Sequence, residues 1–221
     1  MITTMVIDNA PLLRCAMQRA IEAHPKISVD AEGQLDASVI PAIRQHRPVI
    51  AVIHLDAGLS QSLHLIDRLR AVEPQMALLG VTEQVAHPVL TRLLEIGMKG
   101  LLSKNATEAQ LHTMLIRLAK GEHAISPDIA QHLAIAALPR HASSPFENLT
   151  ARELEVGLSL IDGERMPAIA RRLNVSPKTV ATYKYRIYDK LDVDTEVALL
   201  KLAIRNGLVE LDQPVSQTQL F

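Results

Sequence analysis

Two sets of side chains in this 221-residue chain could do chemistry. The first is concentrated between Asn174 and Leu191, N-V-S-P-K-T-V-A-T-Y-K-Y-R-I-Y-D-K-L. Ser176 is a good helix N-cap, and Pro177 suits the first helical position, where its missing N–H is no loss. Val180, Tyr183, Ile187 and Leu191 recur at three- and four-residue spacing and define one stripe to be buried. Lys178, Ala181, Thr182, Tyr185, Arg186 and Asp189 fall opposite. That face is cationic, hydroxylated and partly small, as a helix lying in a DNA major groove requires, although an ordinary amphipathic surface helix would show the same stripe. The second set is dispersed: Asp8-Asn9, His54 with Asp56, Thr82 and Ser103-Lys104 each follow a short apolar run. If those runs are parallel strands of one sheet, the groups collect at one edge, where open parallel sheets carry their functional residues.

The elements needed to position them are legible in the patterning. Strands are expected at Thr4–Ile7, Ile27–Ala31, Val49–Ile53, Met76–Val81 and Leu101–Leu102. Val49–Ile53 is continuously apolar and β-branched, as a strand buried on both faces should be. Helical patterns lie between them, at Ala10–Ala23, Ala37–His46, Leu63–Val72, Val89–Ile96 and Glu108–Ala119. Five such repeats predict an α/β doubly wound parallel five-stranded sheet over residues 1–121. Residues 122–148 read as a linker with a short helix from Pro127 to Leu138, and the turn-like 139–145 marks the boundary. From Leu149 the period is helical only. Thr150 with Glu153 forms a capping-box pattern for a helix ending near Ile161, and Pro167 opens the next. Only Asn174-Val175-Ser176 separates that helix from the first stretch, a turn short enough for a helix-turn-helix. Thr195–Arg205 supplies a fourth helix before Asn206-Gly207. An all-α four-helix unit is thus expected over 149–211, with a flexible tail at 212–221.

Composition narrows the partners. The net charge of −1 argues nothing by itself, but its distribution does: residues 1–125 carry 12 basic and 12 acidic side chains. Residues 165–190 carry seven basic ones (Arg165, Arg171, Arg172, Lys178, Lys184, Arg186, Lys190) against Asp189 alone, a footprint suited to phosphates. No apolar run reaches the ~20 residues of a membrane span and no secretory leader is evident, so no membrane association is expected. The one cysteine, Cys15, excludes an internal disulfide, fits a reducing cytoplasm and is expected to be small core or semi-buried in its helix. No nucleophile–base set, cofactor loop or zinc-type spacing appears, so no enzyme, cofactor or metal is expected.

L-T-A-R-E-L-E-V, I-A-R-R-L-N-V-S-P-K-T-V and Y-K-Y-R-I-Y-D-K-L-D-V resemble the LuxR-type helix-turn-helix of bacterial transcription regulators. Asp8, Thr82 and Lys104 at successive strand ends look like a response-regulator receiver, and the whole chain is most similar to the GacA/UvrY group of response regulators. The resemblance implies base-facing roles for Ala181, Thr182 and Tyr185, and phosphate approach by Lys178, Thr179, Lys184 and Lys190. It implies a dimer contact on Val197, Leu200, Lys201 and Ile204, with core packing expected for Val197 and Leu200. Double-stranded promoter DNA and a second copy of the chain are the implied partners, with RNA polymerase or a related regulator beside them; a histidine kinase is left undecided.

The chain departs from the family at the receiver site. A receiver uses an aspartate at the end of its third strand as phosphoryl acceptor and two acids at the end of its first to hold Mg²⁺. Aligned on Pro48 and Val49–Ile53, the acceptor position is His54, and the acid pair is Asp8-Asn9. Ala57-Gly58 replaces the family's loop proline, and Leu101 replaces the switch aromatic. A degenerate receiver insensitive to phosphorylation is therefore expected, with His54 hydrogen-bonded near Asp8 or Lys104. Two alternatives stand: a shifted register making Asp56 the acceptor of a conventional switch, or a heterodimerising protein that titrates a related regulator. Pairing through Val89–Ala119 is expected, since Leu90, Leu93, Leu94, Leu111, Leu115 and Leu118 exceed what one small core needs, although most of them are expected to be core.

Overall fold

The computed structural model describes residues 1–55, 59–83, 86–136, 138 and 144–209. Asp56 and the tail 212–221 lie outside the described residues. The strands are β1 (Ile2–Ile7), β2 (Ile27–Gly33), β3 (Ile50–His54), β4 (Ala77–Thr82), β5 (Gly100–Ser103) and β6 (Ala124–Ile125). They form one parallel sheet in the order β2-β1-β3-β4-β5-β6. The sheet thus has six strands rather than five. The extra one falls in the stretch read as linker, because Ala124 and Ile125 extend the open edge of β5 by pairing with Gly100 and Leu101. Two residues carry too little periodicity to announce a strand.

The helices are α1 (Pro11–Glu22), α2 (Val39–His46), α3 (Leu59–Val72), α4 (His87–Glu95), α5 (Glu108–Ala119) and α6 (Pro127–Ala136). Strand residues alternate between the two faces they cover. Met5, Ile7, Ala51, Ile53, Leu78 and Leu101 pack with Val39, Ile43, Ile66 and Leu93 of α2, α3 and α4. Val6, Ile50, Val52, Leu79 and Leu102 pack with Ile21 of α1 and with Leu111, Leu115 and Leu118 of α5. Leu90, Leu93, Leu111, Leu115 and Leu118 are buried in these cores, and Leu94 is half-buried. These leucines are therefore core residues, as expected of most of them, since each face of the sheet is a full core, and they give no support to pairing through α4 and α5. In α1 the reverse holds. Cys15 is exposed, not semi-buried, and Leu12 is 81% exposed, because the helix turns Ile21 rather than the Leu12 stripe onto the sheet.

The second unit comprises α7 (Ala151–Ile161), α8 (Met166–Arg172), α9 (Pro177–Leu191) and α10 (Glu196–Arg205), preceded by a 3-10 turn at Pro145–Asn148. Thr150, Ser176 and Thr195 accept from the backbone N–H three residues on, as capping side chains do. Asn174 adopts a left-handed φ of 53°, a conformation its short polar side chain tolerates better than most. That residue turns the chain between α8 and α9. None of the described helices is long and apolar enough to cross a membrane.

α3 packs on α7 and joins the two units. Ser60, fully buried, donates its hydroxyl to Asp162 Oδ2 at 2.7 Å across that junction, with Glu164 Oε1 at 3.4 Å. Burial, with Glu164 alongside, holds the Asp162 carboxyl above its ordinary value, against the lowering effect of the Ser60 bond. On the next turn of α3, burial and then the charge of Arg172 hold the His64 imidazole below its ordinary value. A hydroxyl-to-carboxylate bond of this kind contributes about 1 kcal/mol net. Ser60→Ala is therefore expected to speed amide exchange roughly fivefold in the first turn of α3 and in the turn 162–164, leaving the β3 and β4 amides unchanged. Unaltered exchange at the junction would show that the hydroxyl does not hold it.

Candidate functional site

The strand-end residues do assemble. β1, β3, β4 and β5 end side by side, and Asp8, His54, Thr82 and Lys104 lie at or just past those ends. Asp8 is 1% exposed and His54 7%. Asp8 Oδ2 meets His54 Nδ1 at 2.5 Å, without hydrogen-bond alignment, a contact that becomes an ion pair when the imidazole is protonated. Asp8 Oδ1 accepts the Ala10 N–H at 2.6 Å. Asn9 turns outward and its Oδ1 accepts the Leu35 N–H at 2.9 Å, tying the end of β1 to the loop after β2. Lys104 Nζ lies 3.8 Å from Glu83 Oε2. Arg14, which patterning did not single out, donates to the Asp8 carbonyl at 2.8 Å and reaches Glu32 at 3.4 Å.

A hard cation such as Mg²⁺ takes six oxygen ligands, and a protein site must offer carboxylates turned toward it. Both oxygens of Asp8 face protein groups, and Asn9 spends its carbonyl on Leu35. Among the described residues no cluster of three metal-ligating side chains occurs. The described pocket does not fit the ion.

The other set lies on α9, which carries all three tyrosines of a chain without tryptophan. Val180, Ile187 and Leu191 are buried, and Tyr183 and Tyr188 are half-buried against the same core. Tyr185 is 73% exposed, Lys178, Thr182 and Arg186 are exposed, and Ala181 is half-buried. Thr182 donates its hydroxyl to the Lys178 carbonyl, and Thr179 pairs its hydroxyl with Ser176. Both threonines are thus oriented by the helix that carries them.

The seven cations of 165–190 divide. Lys190 meets Glu153 Oε2 at 2.6 Å and the Asn148 carbonyl at 3.2 Å. Lys184 meets Glu196 Oε1 at 2.6 Å and stands 5.4 Å from the centre of the Tyr188 ring. Arg172 serves Glu164, Glu155 and the Ser159 hydroxyl. Arg165, Arg171, Lys178 and Arg186 are exposed and, among the described residues, have no carboxylate partner. Two of the lysines expected at phosphates, Lys184 and Lys190, are therefore held by carboxylates of their own chain. Glu153 was readable as a capping residue, but its second use depends on a lysine 37 positions away. Arg165 and Arg171 extend the free cationic surface beyond α9. Val197 of α10 is 61% exposed rather than core, since Leu199 and Ala203 supply the buried side of that helix.

Residues 4–116 match the family described as "Response regulator receiver domain", and residues 147–203 match "Bacterial regulatory proteins, luxR family". The chain is 30% identical over 211 residues to Response regulator GacA of Pseudomonas viridiflava, covering 95% of this chain and 99% of that protein. It is 28% identical to Response regulator UvrY of Escherichia coli strain K12, covering 98% and 100%. The fold resembles RcsB of Salmonella enterica serovar Typhimurium bound to promoter rprA in the presence of the phosphomimetic BeF3-. There the TM-score is 0.73 at 17% identity, covering 91% of this chain and 97% of that one.

Burial alone would raise the Glu153 carboxyl, but bonds from Lys190 and Thr150 more than offset it and hold the group below its ordinary value of 4.5. A carboxylate lowered on folding contributes stability above its unfolded pKa and loses it as pH falls through the folded value. Unfolding of α9, followed by tyrosine fluorescence, should therefore become easier as pH drops below that ordinary value of 4.5. Glu153→Gln should lower stability at neutral pH by about 1 kcal/mol, discounted for the part-exposed Lys190, and flatten that acid dependence. An acid limb as steep in the variant as in the wild type would assign it to other groups.

Proposed function

This chain belongs to the response regulators, with a receiver domain followed by a luxR-family DNA-binding domain, and from that premise we propose that it is a cytoplasmic transcription regulator that binds promoter DNA as a dimer, largely independently of aspartyl phosphorylation. The observation that carries DNA reading is the open face of α9, where Lys178, Thr182, Tyr185 and Arg186 stand together beside a short turn. Lys178 approaches phosphate, while Thr182 and Tyr185, with Ala181 beside them, meet base edges. Arg186, Arg171 and Arg165 take the backbone contacts that Lys184 and Lys190, already paired, are poorly placed to make. Val197, exposed beside Leu200, Lys201 and Ile204, supports pairing through α10, since burying the exposed part of two valines offsets the cost of association by about 2 kcal/mol.

Phosphorylation independence is supported by the contents of the strand-end pocket. His54 stands at the end of β3 in contact with the one carboxylate of the Asp8-Asn9 pair, so a side chain of the chain itself occupies that carboxylate, and the pair lacks the second acid. The regulator then follows dimer geometry and abundance rather than an acyl phosphate. Incubation with acetyl phosphate and Mg²⁺ should leave the mass, the sedimenting dimer and DNA affinity unchanged. A phosphoryl adduct lost in Asp56→Ala, or a monomer made dimeric by the donor, would overturn this reading.

The DNA roles separate by salt and sequence. Lys178→Ala should weaken every duplex alike and reduce the slope of log affinity against log salt by about 1. Thr182→Ala or Tyr185→Ala should instead change preference between sites, by about 1–3 kcal/mol at the affected base pair. Equal loss on every sequence for all three variants would refute the assignment. Weak, sequence-independent binding by the wild type would favour a protein that titrates a related regulator.

A further inference from the structure

We propose that Glu196 of α10 is a positioning residue for DNA binding that withholds Lys184 from the phosphate backbone. The inference rests on α9 being the DNA-facing helix. Lys184 lies one residue, about 100° of helix rotation, from exposed Tyr185, so it stands on the flank of the exposed face, which a side chain of its length can reach. Instead its Nζ donates to Glu196 Oε1 at 2.6 Å, and its side chain is 23% exposed against 56% for the carboxylate. The ammonium also stands over the Tyr188 ring at 5.4 Å. Two neighbours thus draw it toward α10 rather than outward, and Glu196 raises its pKa further.

The carboxylate is well held. Thr195 caps α10 by accepting the Ala198 N–H, which places Glu196 in the first turn, where a negative charge is favoured by the helix dipole. A helix-end acid alone would need no lysine, and Lys184 reaches it from 12 residues away. The contrast with Lys190 sets the character of the contact. Glu153, the partner of Lys190, is 4% exposed in its side chain, so that pair is part of the fold. Glu196 is largely solvated, and a solvated pair changes an equilibrium by no more than a few-fold. It therefore outweighs a phosphate oxygen, the other anion this ammonium could meet, by only a few-fold, and the ammonium stays with Glu196 while that charge is present. Glu196 occupies the place of that phosphate and sets how many backbone contacts the helix makes.

The test uses the full chain and a labelled duplex of arbitrary sequence, since phosphate contacts do not depend on sequence. Binding is measured by anisotropy across a salt series. Glu196→Gln should tighten binding about three- to tenfold at moderate salt and steepen the log–log salt slope by about 0.9, the increment for one added phosphate. Lys184→Ala in the wild type should change affinity less than about twofold and leave the slope alone, yet abolish the gain in the Glu196→Gln background. Glu108→Gln removes the same charge from the first turn of α5, in the sheet domain, and should leave the slope unaltered. An unchanged slope in Glu196→Gln, or a slope lost in Lys184→Ala alone, would overturn the inference. A wild type that binds no duplex would instead overturn the DNA-binding reading beneath it.

Discussion

Two carboxylates of one helix hold the DNA-reading unit in shape. Glu153 and Glu155 of α7 are 3% and 6% exposed, and being two positions apart they leave the helix in opposing directions. Glu153 closes its own cap with Thr150 and takes Lys190 from the far end of α9. Glu155 takes Arg152 at 2.8 Å and faces Arg172, at the end of α8, at 3.8 Å. Arg152 meanwhile donates to the Leu173 carbonyl and closes the end of α8. The two helices flanking the short turn are thus referred to one rigid carboxylate pair. Buried charges are costly to leave unpaired, so the angle between α8 and α9, and with it the presentation of Tyr185 and Lys178, is strongly enforced.

That unit is also tied to the sheet domain. Ser60 stands in the first turn of α3, six residues after His54, and its hydroxyl ends on the turn between α7 and α8. The strand end that the family uses for its chemistry and the helix that docks the reading domain are therefore consecutive in the chain. Arg172, which bonds Glu164 at that turn and lowers the pKa of His64, extends the polar network from α3 to the last residue before the α8–α9 turn. The junction combines one apolar helix contact with a small set of charge-assisted bonds, which makes it specific in geometry.

Charge was the least reliable guide and the most informative result. A count of seven basic residues suggested a broad phosphate-binding face, but three of them are neutralised within the chain. What remains is narrower: Lys178 and Arg186 on α9, with Arg165 and Arg171 beside it. Lysine and arginine reach for whichever anion is nearest, and in a compact helical unit that anion is often a glutamate of the same chain.

The sequence by itself determined most of the architecture. Alternating apolar runs, the caps at Thr150, Ser176 and Thr195, and the stripe Val180–Leu191 are local signals, and α5, α7 and α9 begin and end where those signals place them. The presence of a histidine, His54, at the end of β3 was equally legible, since it is the identity of one position. Only the tertiary structure decided what depends on distant partners. β6 exists because the open edge of β5 accepts a fifth strand pairing, not because Ala124-Ile125 favours a strand. Val197 is outward and Ile21 inward because packing selects one rotation of each amphipathic helix, which periodicity leaves free within a residue or two. The pairings of Lys184 with Glu196, Lys190 with Glu153 and His54 with Asp8 bring together groups 12 to 46 positions apart. Such contacts are set by the folded path of the chain, so local pattern carries no record of them.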